Sequence, residues 1–275
     1  MRRIFYSVRA SLRFRGYRPQ PLSWLSVSRW VKQFEKKDRG LAVRLLDNVI
    51  YLSEATTRDI LLQQNAALMK RLREAGLPAK NLIYVSVHEA GSSSPVMLNL
   101  LRDGAFLEKL GCRLIDGRDT MNLVKAMNEL GEGALIYVDD FVGSGNQFCT
   151  ERDFISQNFV GTFSEFMLAP SICEEAFEKM DQRGIQAFAG HKHVKAERPL
   201  HPECDVFDEA DGLRVAAICK GIDKFGLGYK GLATMVVLYR NAPNTVPVML
   251  RGNVNQKPYF GVFPRTIDLP LPKAV

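Results

Sequence analysis

Between residues 81 and 188 short apolar runs alternate with helical stretches, and this rhythm restricts the fold more than any other feature of the chain. Leu82–Val87, Cys112–Ile115, Ala134–Val138, Phe163–Leu168 and Ile185–Phe188 read as strands. Between them Val96–Lys109, a stretch from the capping residue Asp119 to Leu130, Gln147–Asn158 and Glu174–Gln182 read as helices. Strands and helices alternating at this interval build βαβ units and a parallel sheet with helices on its faces. The expected class is α/β, with ligands bound at the carboxyl ends of the strands.

The flanks differ. Residues 24–76 carry helical apolar spacing (Val27, Trp30, Val31 and Phe34, then Leu41, Leu45, Leu46, Val49 and Ile50), followed by a third helix over Thr57–Ala75 that Gly76 and Pro78 stop. The three helices suit an antiparallel layer. Past residue 190 the strongest patterns are strand-like, Ala233–Tyr239 and Val246–Leu250. The expected division is a basic arm at 1–22, a helical region at 23–78, an α/β core at 79–190 and a β-rich appendage with a tail at 191–275.

Composition sets the remaining bounds. A length of 275 residues with 46% hydrophobic content suffices for a sizeable core. Five scattered cysteines without a CxxC pair suit a reduced, cytoplasmic protein. The apolar runs are too short to span a bilayer. The net charge of +7 is concentrated in residues 1–34, which hold eight basic residues and no acid before Glu35. Phe5, Tyr6, Phe14 and Tyr17 interleave with those arginines, a pattern that suits nucleic acid or an anionic partner as readily as a loose tail.

The most informative segment is Ile136-Tyr-Val-Asp139-Asp140-Phe-Val-Gly143-Ser144-Gly145-Asn146-Gln147. A buried strand delivers two carboxylates at its carboxyl end, and a helix follows a glycine-bracketed hydroxyl. Glycines allow a tight turn and close approach of backbone to ligand, and the first amides of the helix favour an anion. Adjacent acids accept hydrogen bonds from sugar hydroxyls or position a hydrated Mg²⁺. No Gly-Lys-Ser/Thr follows, which excludes a P-loop, and Phe148 replaces the third glycine of a dinucleotide fingerprint. Gly226-Leu-Gly228-Tyr-Lys-Gly231 spells GxGxxG but precedes a strand instead of following one.

The segment resembles the signature of the type I phosphoribosyltransferases, with Asp139 and Asp140 as its acid pair and Ser144-Gly145 in place of Thr-Gly. The resemblance implies that the acids hold ribose hydroxyls, and Mg²⁺ with them, and contribute catalysis. It implies also that Gly143, Ser144, Gly145, Asn146 and Gln147 wrap a 5-phosphate. Gln147 stands where the family has a hydroxyl. The loop that would take pyrophosphate, Val87–Pro95, offers Gly91, Ser92 and Ser93, lacks a lysine or arginine and contains Glu89. Together with the helical front, Phe225–Tyr229 and Asn241–Pro247, the chain resembles phosphoribosyltransferase-like effectors of bacterial conflict systems, including those encoded beside retron reverse transcriptases. That implies an enzyme acting at C1 of phosphoribosyl diphosphate or a nucleotide, toxic during phage infection. Tyr229 and Asn244 would cover the base or pyrophosphate in a hood. The alternative is a non-catalytic ligand sensor docked on nucleic acid or a reverse transcriptase. A homo-oligomer is left open. His191, His193, His201 and Cys204 form HxH followed by HxxC, either a zinc site or surface and base-contacting histidines.

Overall fold

A computed structural model describes residues 2–87, 94–158, 161–252 and 259–266, with side chains from Phe5 onward. The chain divides into two compact units, residues 1–54 with 194–275, and residues 55–193. In chain order, the first unit opens with α1 (Arg2–Arg13), α2 (Trp24–Lys32), α3 (Arg39–Asp47) and β1 (Ile50–Leu52). The second comprises α4 (Glu54–Glu74), β2 (Leu82–Ser86), α5 (Ser94–Gly104), β3 (Arg113–Asp116), α6 (Thr120–Leu130), β4 (Glu132–Val138), β5 (Phe141–Val142), α7 (Asn146–Ser156), β6 (Thr162–Cys173), α8 (Glu174–Asp181) and β7 (Gln186–His193). The first unit then resumes with α9 (Glu209–Ile222), β8 (Val236–Leu238) and α10 (Val248–Arg251).

The second unit is the expected α/β domain. Its sheet runs β3-β2-β4-β6, with β5 and β7 also on β6, and every pairing is parallel. One face packs Val85, Leu135, Tyr137 and Met167 against Leu123 and Met127 of α6, Phe148 and Ile155 of α7, and Ala176 and Met180 of α8. On the other, the Tyr84 hydroxyl donates to Asn65 Oδ1 of α4 at 2.6 Å. Burying an aromatic body while satisfying its hydroxyl keeps that face closed without a polar penalty. β6 and β7 run longer than the sequence pattern implies.

The first unit corrects four expectations, three of them in its N-terminal part. The basic arm is α1, and its end enters the core: Ala10, Phe14 and Tyr17 are buried with Trp30, Leu45 and Phe263. Three of its arginines, all exposed, bond to groups of the same unit. Arg9 donates to the Asp47 carboxylate at 2.8 Å, Arg13 to the Asp47 and Val49 carbonyls at 2.8 and 2.6 Å, and Arg18 to Glu54 at 2.6 Å. Phe14 and Tyr17 are thereby removed from any stacking role. The helical region 23–78 is not one layer, because its third helix belongs to the second unit. Ile50 begins a strand instead of prolonging a helix, since β1 pairs in parallel with β8 over Ile50↔Val236 to Leu52↔Leu238.

The C-terminal appendage is not β-rich among its described residues. Only Val236–Leu238 of the Ala233–Tyr239 run is strand, and Val246–Leu250 yields the short helix α10 after Pro247, whose ring fixes φ and removes a ladder donor. The longest element there is α9, capped by Asp208. Gly212 within it is required by contact: a Cβ would lie 2.7 Å from the Pro199 carbonyl oxygen. Among the described residues no helix is long and apolar enough to cross a membrane.

Candidate functional site

The candidate site starts from β4, buried from Gly133 to Val138 in the middle of the sheet. β4 pairs with β6 up to Val138↔Leu168, and β5 resumes at Phe141↔Ser171 in the same register. The two residues that interrupt the ladder are Asp139 and Asp140. By that register Asp140 stands opposite Pro170. The Asp139 amide still donates to the Leu168 carbonyl at 3.1 Å. Every second residue of a strand presents the same edge. The Pro170 nitrogen therefore faces the acid pair, and it carries no hydrogen to donate. The ladder lacks one donor at that point, and the acid pair stands there, at the carboxyl end of β4.

Asp139 is 2% exposed, and its Oδ1 accepts from the Asp140 amide at 2.8 Å. Asp140 is half-buried. After β5 the chain bends through Gly143 and Ser144 to Gly145, which caps α7 in the left-handed region at φ 71°. A Cβ on Gly145 would also approach the Ala176 Cα and Cβ to 3.2 Å. Conformation and packing both demand glycine here.

The bend is held from behind. Lys179 of α8 donates to the Ser144 carbonyl at 2.6 Å and to Asn146 Oδ1. A positive charge is thereby fixed beside the amino end of α7, where the helix dipole already favours anions. The Thr150 hydroxyl donates to the Asn146 carbonyl at 3.0 Å. Gln147 is exposed on the first turn, its amide 3.4 Å from Glu151 Oε1. Asp139, Asp140, Gly143, Ser144, Gly145, Asn146 and Gln147 thus run from the end of β4 through the bend into the first turn of α7. Gly91, Ser92 and Ser93 lie outside the described residues.

Sequence reasoning missed the supports. Ser94, fully buried, accepts from the Val87 amide at 2.7 Å and donates to the Val138 carbonyl, tying the ends of β2 and β4 together. Below the rim, the Tyr137 hydroxyl donates to Glu165 Oε2 at 2.9 Å, and Arg152 makes a two-pronged contact with the same carboxylate. Burial, then the Glu165 charge, raises the Tyr137 pKa well above the ordinary tyrosine value. The hydrogen bonds to Glu165 raise that of Arg152. Both groups keep their protons and brace β4 against α7. Burial also pushes the Cys149 thiol up, which argues against a nucleophilic role.

The other candidates fall elsewhere. His191 and His193 share β7, with ring centroids 6.0 Å apart. His201 and Cys204 belong to the first unit, where His201 Nδ1 accepts from the Glu203 amide at 3.2 Å. Tyr229 and Asn244 do meet, through a Tyr229 amide to Asn244 carbonyl bond of 3.0 Å, within that same unit.

Comparison with solved structures finds likeness to an orotate phosphoribosyltransferase from Aeropyrum pernix, 16% identical, with a TM-score of 0.33 over 49% of this chain and 68% of that one. A likeness so distant bears on neither substrate nor residue roles. No curated protein matches the chain. The family model PRTase-CE matches residues 27–265, which takes in most of both units. The chain therefore belongs to the PRTase-CE family.

Proposed function

We propose that the rim from Asp139 to Gln147 binds a ribose 5-phosphate compound, phosphoribosyl diphosphate or a nucleotide, and that the protein makes or breaks its bond at C1. The observation that carries this reading is the opening of the β4–β6 ladder opposite Pro170. It sets two acids beside a glycine bend whose following helix begins under Lys179. Amides of the first turn of α7, the Ser144 hydroxyl and the Asn146 side chain suit the phosphate. Asp139 and Asp140 suit the ribose hydroxyls and the positive charge that develops at C1 as an anion departs. Two carboxylates on consecutive residues are also hard oxygen donors of the kind that hold Mg²⁺ through its water shell. When bound, that ion would neutralise diphosphate charge.

Within this reading the protein acts in the cytoplasm, as a toxic effector of bacterial antiphage defence. That part rests on the resemblance of its sequence segments. A second reading, a ligand sensor without turnover, is favoured by one observation: Val87–Pro95 has no lysine or arginine to meet pyrophosphate.

Calorimetric titration of phosphoribosyl diphosphate with MgCl₂ tests binding, and mass spectrometry of nucleotide pools in expressing cells tests turnover. The enzyme predicts binding and altered pools, both lost in Asp139→Asn/Asp140→Asn. Binding with unchanged pools selects the sensor. Wild-type protein that binds neither phosphoribosyl diphosphate nor nucleotides ends the proposal.

A further inference from the structure

Residues 220–233 of the first unit present two aromatic rings to solvent from an over-determined backbone. Phe225 is 67% exposed and Tyr229 47%. Each ring has a lysine over one face: Lys224 Nζ lies 4.9 Å from the Phe225 centroid and Lys230 Nζ 5.9 Å from that of Tyr229. Lys220, exposed in the last turn of α9, adds a third cation. Asp223 is the sole acid of the stretch, and its carboxylate accepts from the Phe225 amide at 2.6 Å.

The backbone beneath the rings is rigid and costly. Lys230 and Ala233 are non-glycine residues in the left-handed region, at φ 54° and 46°. Such residues cost on the order of 1–3 kcal/mol each and persist where their surroundings enforce them. The enforcement is visible. Gly226 admits no side chain, since a Cβ would lie 2.1 Å from the Cys219 carbonyl oxygen, and at Gly228 (φ 82°) one would lie 2.3 Å from that of Thr245. The Gly226 carbonyl accepts from the Val248 amide at 2.7 Å, and the Thr234 amide donates to Thr245 at 3.0 Å. The buried hydroxyls of Thr234 and Thr245 join at 2.6 Å. A loop built this way fixes the backbone positions from which both rings project.

We propose that this loop is a docking platform for single-stranded nucleic acid. A ring offers the face opposite its lysine to any base, and the lysine meets the adjoining phosphate. The pairing occurs twice, Lys224 with Phe225 and Lys230 with Tyr229, which matches the repeating base and phosphate of a strand and exceeds what one mononucleotide offers. The predominance of lysine disfavours a second copy of the same surface. The platform is also where a nucleic-acid contact can reside now that Phe14 and Tyr17 are buried in the core. It uses none of the groups from Asp139 to Gln147, so Asp139→Asn leaves it intact, and it gives Tyr229 a role other than the hood that the resemblance implies.

The test is fluorescence anisotropy of a labelled short oligodeoxyadenylate with the full chain at low salt. Wild-type protein binds, more weakly as salt rises. Phe225→Ala and Tyr229→Ala each weaken binding roughly five- to hundredfold. Phe225→Trp with Tyr229→Phe, which keeps both rings, retains it. The melting temperature of Phe225→Ala stays at the wild-type value, because that ring is largely in solvent, and that of Tyr229→Ala falls only slightly. The proposal is overturned if wild-type protein does not bind, if the double alanine variant binds as well as wild type, or if AMP displaces the strand as effectively as unlabelled oligonucleotide.

Discussion

The nitrogen of Pro170 faces the carbonyl of Asp139 across two paired strands, in the gap between the Val138↔Leu168 and Phe141↔Ser171 pairs. A parallel sheet would otherwise continue through the acid pair, and the candidate site depends on that interruption. Replacing Pro170 with alanine supplies an N–H at that position, and a ladder hydrogen bond contributes about 0.5–1.5 kcal/mol. We expect equal or higher stability in urea melts, together with weaker phosphoribosyl diphosphate binding by calorimetry as the acids are drawn into the ladder. Tighter binding would contradict this account.

Lys179→Met should leave α8 in place and loosen the bend it holds. A hydrogen bond from a charged group contributes about 1.5–3 kcal/mol. Lys179 is half-buried, so the lower end applies, and phosphate affinity should fall about tenfold. Arginine at 179 should restore part of it. Titration with phosphoribosyl diphosphate and with ribose 5-phosphate reads both.

Gly145→Ala is expected to be worse for the rim than for the fold. The left-handed conformation costs a residue with a Cβ about 1–2 kcal/mol, and the Ala176 contact adds to it. A lowered melting temperature with a larger proportional loss of ligand binding is the expected pattern.

The integration of α1 predicts a contrast within one helix and its extension. Phe14→Ala, in the core, should cost about 3–5 kcal/mol. Phe5→Ala, at 75% exposure, should be close to neutral. Deleting residues 1–20 should therefore destabilise the first unit and not merely trim a tail. Chemical denaturation of the three proteins decides it.

Acid sensitivity should show at Asp38. Arg214 donates to both of its oxygens, at 2.8 and 2.7 Å, and these bonds hold its pKa below the ordinary carboxylate value. A depressed folded pKa means that the stabilisation is complete above the unfolded value of about 3.9. It is lost as pH falls through the lower folded value. Asp38→Asn should flatten that acid limb in melts between roughly pH 5 and pH 2.

The glycine bend and the acids at the end of an apolar strand were legible because they are local: a few consecutive residues carry both backbone demand and chemistry. The strand opposite was less so. A proline argues against a central strand, so β6 reads as ending at Leu168, whereas it runs to Cys173 and uses Pro170 to open the site. Lys179 gave no signal, since it reaches Ser144 from 35 residues away along the chain. α9 was hidden by Gly212, whose lack of a side chain answers to a neighbour that the sequence pattern does not reveal.

By itself the order of residues determined the α/β rhythm, the helix caps and the strand, bend and helix that carry Asp139 to Gln147, because hydrophobic period and turn chemistry act over a few neighbours. Tertiary structure alone decided that the basic front belongs to a core with residues from beyond 194, and that α4 goes with the sheet. It also decided where α1 spends its arginines. Those outcomes depend on which distant apolar faces bury one another, and burial is non-directional: a helical stripe specifies that it must be covered and leaves open by what.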